Sequence, residues 1–106
     1  MGAEDRKIPS ESQILEGLMS VIDPEIGINI VDLGLVYAVE VSEEEVRIEF
    51  TLTFPGCPLG DVIQADIVRA VNEISDIPTA AILVWDPPWN SDRMSEEARF
   101  SLGYPI

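Results

Sequence analysis

Apolar positions follow two rhythms along this chain. Ile14, Leu15, Leu18 and Met19 fall on one face of a helix. Ser10 precedes them as an N-cap, with Gln13 three positions on, the pattern of a capping box. That helix should end near Val21, because Asp23 precedes Pro24 and the α region is disfavoured before proline. Residues 35–41 are apolar and partly β-branched and predict a strand, and residues 42–45 a polar turn. Val46, Ile48, Phe50 and Leu52 then alternate with Arg47, Glu49, Thr51 and Thr53. That period of two predicts a strand with one buried face, and the pair a hairpin. The helical rhythm returns at Ile63, Ile67, Ala70, Val71 and Ile74. Residues 76–78 break this second helix, and residues 79–85 predict a third strand. Its run 80–85 is continuously apolar, which predicts burial on both faces. D-P-P-W at 86–89 reads as a rigid turn. A last helix starts near Ser95, has Glu96 and Glu97 at its positive end, and stops at Gly103.

The predicted order is α-β-β-α-β-α, an α+β fold built as a two-layer α/β sandwich. With all three strands in one sheet, the second helix is a crossover between parallel strands, for which the right hand is the rule. The chain has 106 residues, 46% of them hydrophobic, enough for one core and too few for two. Residues 1–9 read as a flexible leader and 10–106 as a single domain. The stretch 23–34, D-P-E-I-G-I-N-I-V-D-L-G, is irregular and long for a connection, a common setting for function.

Charge narrows the function classes. Six basic residues against twenty acidic ones give a net charge of −14. No Lys/Arg cluster is available to displace counterions, which excludes nucleic acid as a partner, and an anionic membrane surface is repelled. A basic protein partner fits, as does the plainer reading that the charge serves solubility. No stretch approaches the ~20 apolar residues of a membrane span, and no signal-peptide run stands at the N-terminus. With one cysteine there is no intramolecular disulfide. Together these predict a cytoplasmic protein. Histidine is absent, which removes His-activated nucleophiles and His-ligated zinc.

The one cysteine, Cys57, lies in P-G-C-P at the start of the second helix. Pro58 suits the first helical position, which makes Cys57 the N-cap, and Gly56 allows the sharp turn off the strand. The free N–H groups there favour a thiolate. A helix terminus contributes only ~0.3–1 kcal/mol to a charge, Asp61 opposes it, and no basic residue is near in sequence. The frame therefore suits a thiol that ionises on meeting a metal or a partner's cysteine better than a free nucleophile. The competing reading is a small buried hydrophobe, the usual state of a lone cysteine.

Five motifs occur in order: D-P-E at 23–25, N-I-V-D-L-G-L-V-Y at 29–37, T-L-T-F-P-G-C-P at 51–58, D-P-P-W at 86–89 and M-S-E-E-A-R-F-S-L-G at 94–103. This series resembles the PaaD/SufT-like metal–sulfur cluster assembly family, relatives of cytosolic iron–sulfur targeting factors, over residues 10–103. The resemblance implies the α/β fold of that family and a role in maturing iron–sulfur proteins, not an enzyme in its own right. It implies that Cys57 is the key residue and the candidate metal or persulfide contact, with Asp23, Glu25, Asp32 and Thr53 as candidate lining of the same surface. On the residues alone, Asp23 can equally end a helix, Asp32 can cap the turn at Gly34, and Thr53 can bond the turn that follows. Trp85 and Trp89 read as packing residues.

An iron–sulfur cluster usually takes four thiolates, and this chain offers one. No tightly bound cofactor is expected. Three arrangements remain: a cluster bridging a homodimer, transient iron or cluster handling shared with a partner's cysteines, and an adaptor without metal. The second is preferred, with assembly proteins or apo-target enzymes as partners. The alternative function is an accessory subunit of a multicomponent oxygenase, as in PaaD-like relatives. An enzyme using Cys57 as nucleophile ranks last, for want of an activating base.

Overall fold

The computed structural model describes residues 8–53 and 58–103. The order is α1 (Glu11–Leu18), β1 (Val36–Val41), β2 (Val46–Phe50), α2 (Gly60–Asn72), β3 (Thr79–Leu83), a 3₁₀ turn (Ser91–Arg93) and α3 (Glu96–Leu102). The strands form one sheet in the order β1-β2-β3. β1 and β2 are antiparallel and β2 and β3 parallel, so α2 is the expected crossover. α1 packs on β1, α2 on β3, and the two helices on each other, which places both on one face of the sheet. The α+β, two-layer expectation holds.

Local chemistry explains most of these elements. Ser10 Oγ accepts from the Gln13 N–H at 3.1 Å while Gln13 Oε1 accepts from the Ser10 N–H at 2.8 Å, a complete capping box. In the β1–β2 turn, Ser42 Oγ accepts from the N–H groups of Glu44 and Glu45. Val46, Ile48 and Phe50 are buried and Arg47 and Glu49 only half so, the alternation of a one-sided strand. Ser95 caps α3 by accepting from the Ala98 N–H, and Gly103 ends it at φ +81°.

Four expectations are corrected. α1 stops at Leu18, because Met19, Ser20 and Val21 donate to carbonyls only three residues back. That tightened turn buries Val21 and leaves Met19 44% exposed, off the buried face. α2 ends at Asn72, so Ile74 lies past the cap and is partly exposed, where it closes over Gly17 of α1. α2 also starts late: Leu59 is the N-cap, with no side-chain cap bond, and Pro58 lies in the preceding turn instead of the first helical position. Packing sets that start, since a Cβ on Gly60 would stand 3.3 Å from Leu52 Cδ1 and 3.8 Å from Leu83 Cδ2.

The fourth concerns β3, which ends at Leu83 and lies at the sheet edge, with α2 packed on it. Within it only Ala81 is buried; the rest is half-covered and Trp85, beyond its end, is 42% exposed. A continuous apolar run thus marks an edge strand here, not one enclosed on both sides. The Gln64 amide of α2 donates to the Ala81 carbonyl at 2.7 Å.

The chain after β3 folds back onto the start of β1. Trp89 Nε1–H donates to the Leu33 carbonyl and Tyr37 Oη–H to the Pro87 carbonyl, both at 2.8 Å. The Arg93 guanidinium lies 4.5 Å from the centroid of the Tyr37 ring. A bulge between Val36 and Ala38 interrupts the β1–β2 register at Tyr37. Gly34 makes the closest approach: at φ +75°, its Cβ would lie 2.2 Å from the Arg93 carbonyl oxygen. Gly34→Ala combines a left-handed φ with a backbone clash, and is expected to lower the unfolding free energy by about 2–4 kcal/mol in urea titration; an unchanged midpoint contradicts this packing. Thr51 gives the opposite expectation. Its side chain is fully buried and, among the described residues, its Oγ1 has no hydrogen-bond partner. Thr51→Val removes that desolvation cost and should raise the urea midpoint, by about 1 kcal/mol of stability.

Candidate functional site

The candidate residues belong to the loop before β1 and the segment after β2. The first part of that loop is a closed turn. Asp23 is 2% exposed, and its Oδ1 accepts from the N–H groups of Glu25 (2.9 Å) and Ile26 (3.3 Å). Its backbone carbonyl accepts from Ile26 and Gly27, and its N–H donates to Ile28. Asp and Asn favour such turns because a short carboxylate or amide can satisfy the backbone two residues on. Asp23 therefore shapes the turn, and Glu25, bonded to it through its own N–H, is displayed at the surface.

Asn29 joins this turn to the next. It pairs with Ile22 in a β-bridge, its Oδ1 accepts from the Asp32 N–H at 2.9 Å, and its Nδ2–H donates to Asp32 Oδ2 at 2.8 Å. The Asp32 carbonyl in turn accepts from the Ser95 N–H at 2.7 Å. The carboxylate is thus held from one side by an amide, while the backbone is tied to the N-cap of α3. Asp32 does not cap the Gly34 turn with its side chain; the Gly34 N–H donates to the Val31 carbonyl.

Thr53 follows the end of β2 and is half-buried. The Thr51 N–H donates to the Leu35 carbonyl at 2.8 Å, and the Val84 N–H to the Phe50 carbonyl at 2.8 Å. Gly60, at the start of α2, packs on Leu52 and Leu83. The start of β1, the ends of β2 and β3 and the first turn of α2 accordingly meet at one end of the sheet. Asp32 stands three residues before Leu35, Thr53 two after Thr51, and Pro58 two before Gly60, so all three attach to that end. The Asp23–Glu25 turn joins them through Asn29.

Cys57 and the expectation that it is the helix N-cap concern residues 54–57, which lie outside the described residues. The N-cap itself is Leu59, two positions further on. Among the described residues, no three His, Cys, Asp or Glu side chains are gathered closely enough to hold a metal ion. Thr51 is the residue that sequence reasoning missed. Strand alternation assigned it to the polar face, yet the hydroxyl is buried at this same end of the sheet, without a partner among the described residues. The signal available was its place in T-L-T, two residues before Thr53.

Among the described residues, no helix is long and apolar enough to cross a membrane. The sequence profile described as iron–sulfur cluster assembly protein matches residues 11–84. The chain is 39% identical over 95 residues to the Fe-S protein maturation auxiliary factor YitW of Bacillus subtilis (strain 168), covering 88% of this chain and 93% of that one. It is 47% identical over 85 residues to the Fe-S protein maturation auxiliary factor SufT of Staphylococcus aureus (strain USA300), covering 78% and 97%. Its fold matches the crystal structure of a domain of unknown function, DUF59, from Bacillus anthracis with a TM-score of 0.84, at 37% identity, over 90% of this chain and 92% of that one. With motifs, fold and relatives in agreement, the chain belongs to the iron–sulfur cluster assembly protein family.

Proposed function

We propose that this protein is a cytoplasmic maturation factor for iron–sulfur proteins that handles iron or a cluster in passing, as cargo, through Cys57. Relatives named as Fe-S protein maturation auxiliary factors support the general role. What supports the finer reading is that the start of β1, the ends of β2 and β3 and the first turn of α2 meet at one end of the sheet, with Asp32 and Thr53 within three residues of that end in sequence. In sequence, Cys57 stands between Thr53 and Pro58.

The chemistry follows from what the chain has and lacks. One thiolate is too few to retain a cluster that usually takes four, and there is no histidine to complete a site. A single sulfur contact therefore favours transfer over storage, with the remaining ligands coming from a partner's cysteines. Asp32 and Glu25 add carboxylate oxygens, which ligate hard cations better than they do a cluster already saturated with sulfide. Thr53 supplies a hydroxyl able to donate to a thiolate or sulfide. The group works as an adaptor and carrier, in which no bond of a substrate need be broken. Its partners are assembly proteins or apo-enzymes, and a net charge of −14 favours those that present basic patches.

Replacing the sulfur tests this directly. Cys57→Ser is expected to keep the circular dichroism spectrum and melting temperature of the wild type. In cells depleted of the protein it should fail to restore the activity of an oxygen-sensitive [4Fe–4S] enzyme; full restoration by the serine variant would refute the proposal. Asp32→Asn tests the carboxylate, because the amide retains a partner for Asn29. It should change stability by less than about 1 kcal/mol and lower the same maturation readout several-fold, whereas unchanged maturation would assign Asp32 to loop structure alone.

A further inference from the structure

The two sides of α3 differ sharply. Ala98 is 2% exposed and faces the body of the protein. Glu96, Glu97, Phe100 and Ser101, brought side by side by the i, i+4 spacing, line an open concavity of ≈ 380 Å³. Phe100 is 78% exposed, against 1% for Phe50, the other phenylalanine among the described residues. Nothing in the helix itself requires an aromatic ring there. Ser95 and Gly103 already cap the two ends, and phenylalanine is a weaker helix former than Ala, Leu or Lys. Glu96 and Glu97 suit the positive end of the helix, and they also place two carboxylates beside the ring. Arg99, the only cation of α3, is half-buried and is not among the residues that line the concavity.

We infer that this face of α3 is a docking surface for a basic segment of a partner protein, whose apolar side chain packs on Phe100 while its Lys or Arg side chains meet Glu96 and Glu97. Charge selects this occupant. A second copy of the chain would bring another net charge of −14 to an acidic surface, whereas a cationic segment gains from the same field. An exposed ring framed by carboxylates fits an amphipathic segment with one apolar and one basic face. The location gives the surface a purpose: the Ser95 N–H is bonded to the Asp32 carbonyl, so a segment seated on α3 lies about one helical turn from the loop that carries Asp32. The inference rests on α3 and not on the sulfur chemistry of Cys57.

The test uses the full chain and a fluorescent synthetic peptide of about twelve residues, with Lys and Arg on one helical face and Leu on the other, followed by fluorescence anisotropy. Wild type should bind. Phe100→Ser should weaken binding about tenfold or more, with an unchanged circular dichroism spectrum. The Glu96→Gln, Glu97→Gln double variant should weaken it and flatten its salt dependence. Cys57→Ser should bind as the wild type does, so a failure of the cluster-handling proposal leaves this result untouched. Equal binding by Phe100→Ser, or equal binding of a peptide with Ser in place of every Leu, would reduce the effect to general charge attraction and overturn the inference. A concentration-dependent dimer in sedimentation that Phe100→Ser abolishes would overturn it in favour of self-association.

Discussion

A glycine that admits another stretch of backbone governs much of this molecule. At Gly34 the chain turns with a left-handed φ into β1, and the peptide of Arg93 rests where any side chain would stand. The segment after β3 can settle there only because that volume is empty. Once it has, Trp89 reaches the Leu33 carbonyl, Tyr37 reaches the Pro87 carbonyl, and the Ser95 N–H reaches Asp32. The position of α3 and the orientation of the Asp32 loop therefore depend on one close contact between residues some sixty positions apart in sequence, a non-local constraint that no neighbouring residue can replace.

This constraint ties the loops to the sheet end and explains why polar residues there are held so differently. Asp23 spends its carboxylate on backbone donors of its own turn, and Asp32 receives the side chain of Asn29. Neither depends on a long, flexible side chain, so the loop is shaped before any partner arrives, and little ordering entropy is left to be lost on contact. Thr51 is the exception. Its hydroxyl is buried without a partner among the described residues, a cost of the kind found where a fold keeps a polar group for reasons other than stability.

Much of this was legible in the chain. Ser10 with Gln13, Ser95 and Gly103 carry the stereochemistry of helix ends within a few residues, and the alternation from Val46 to Phe50 states which face is covered. Local signals of that kind do not depend on the rest of the fold. The start of α2 does, because Gly60 packs on Leu52, just past β2, and on Leu83 of β3, and proline's preference at 58 yields to that packing. The run 80–85 misled for the same reason, since its composition cannot say whether a strand has one neighbour or two. The site was legible as a set of motifs rather than as geometry. Asp32 and Thr53 were found by resemblance, whereas the sheet end to which their segments lead is built by the Thr51–Leu35 bond and the β2–α2–β3 crossover.

The edge position of β3 has one more consequence. A strand with a neighbour on one side only offers unpaired backbone groups to any extended chain that passes, and a small sheet with apolar residues at its rim is exposed to fusing with its own kind. Here the Gln64 side chain of the crossover helix already occupies the Ala81 carbonyl. An incoming strand must first dislodge that amide from an anchored helix before it can zip along the rim. The connection that makes β2 and β3 parallel thus also guards the open border it creates.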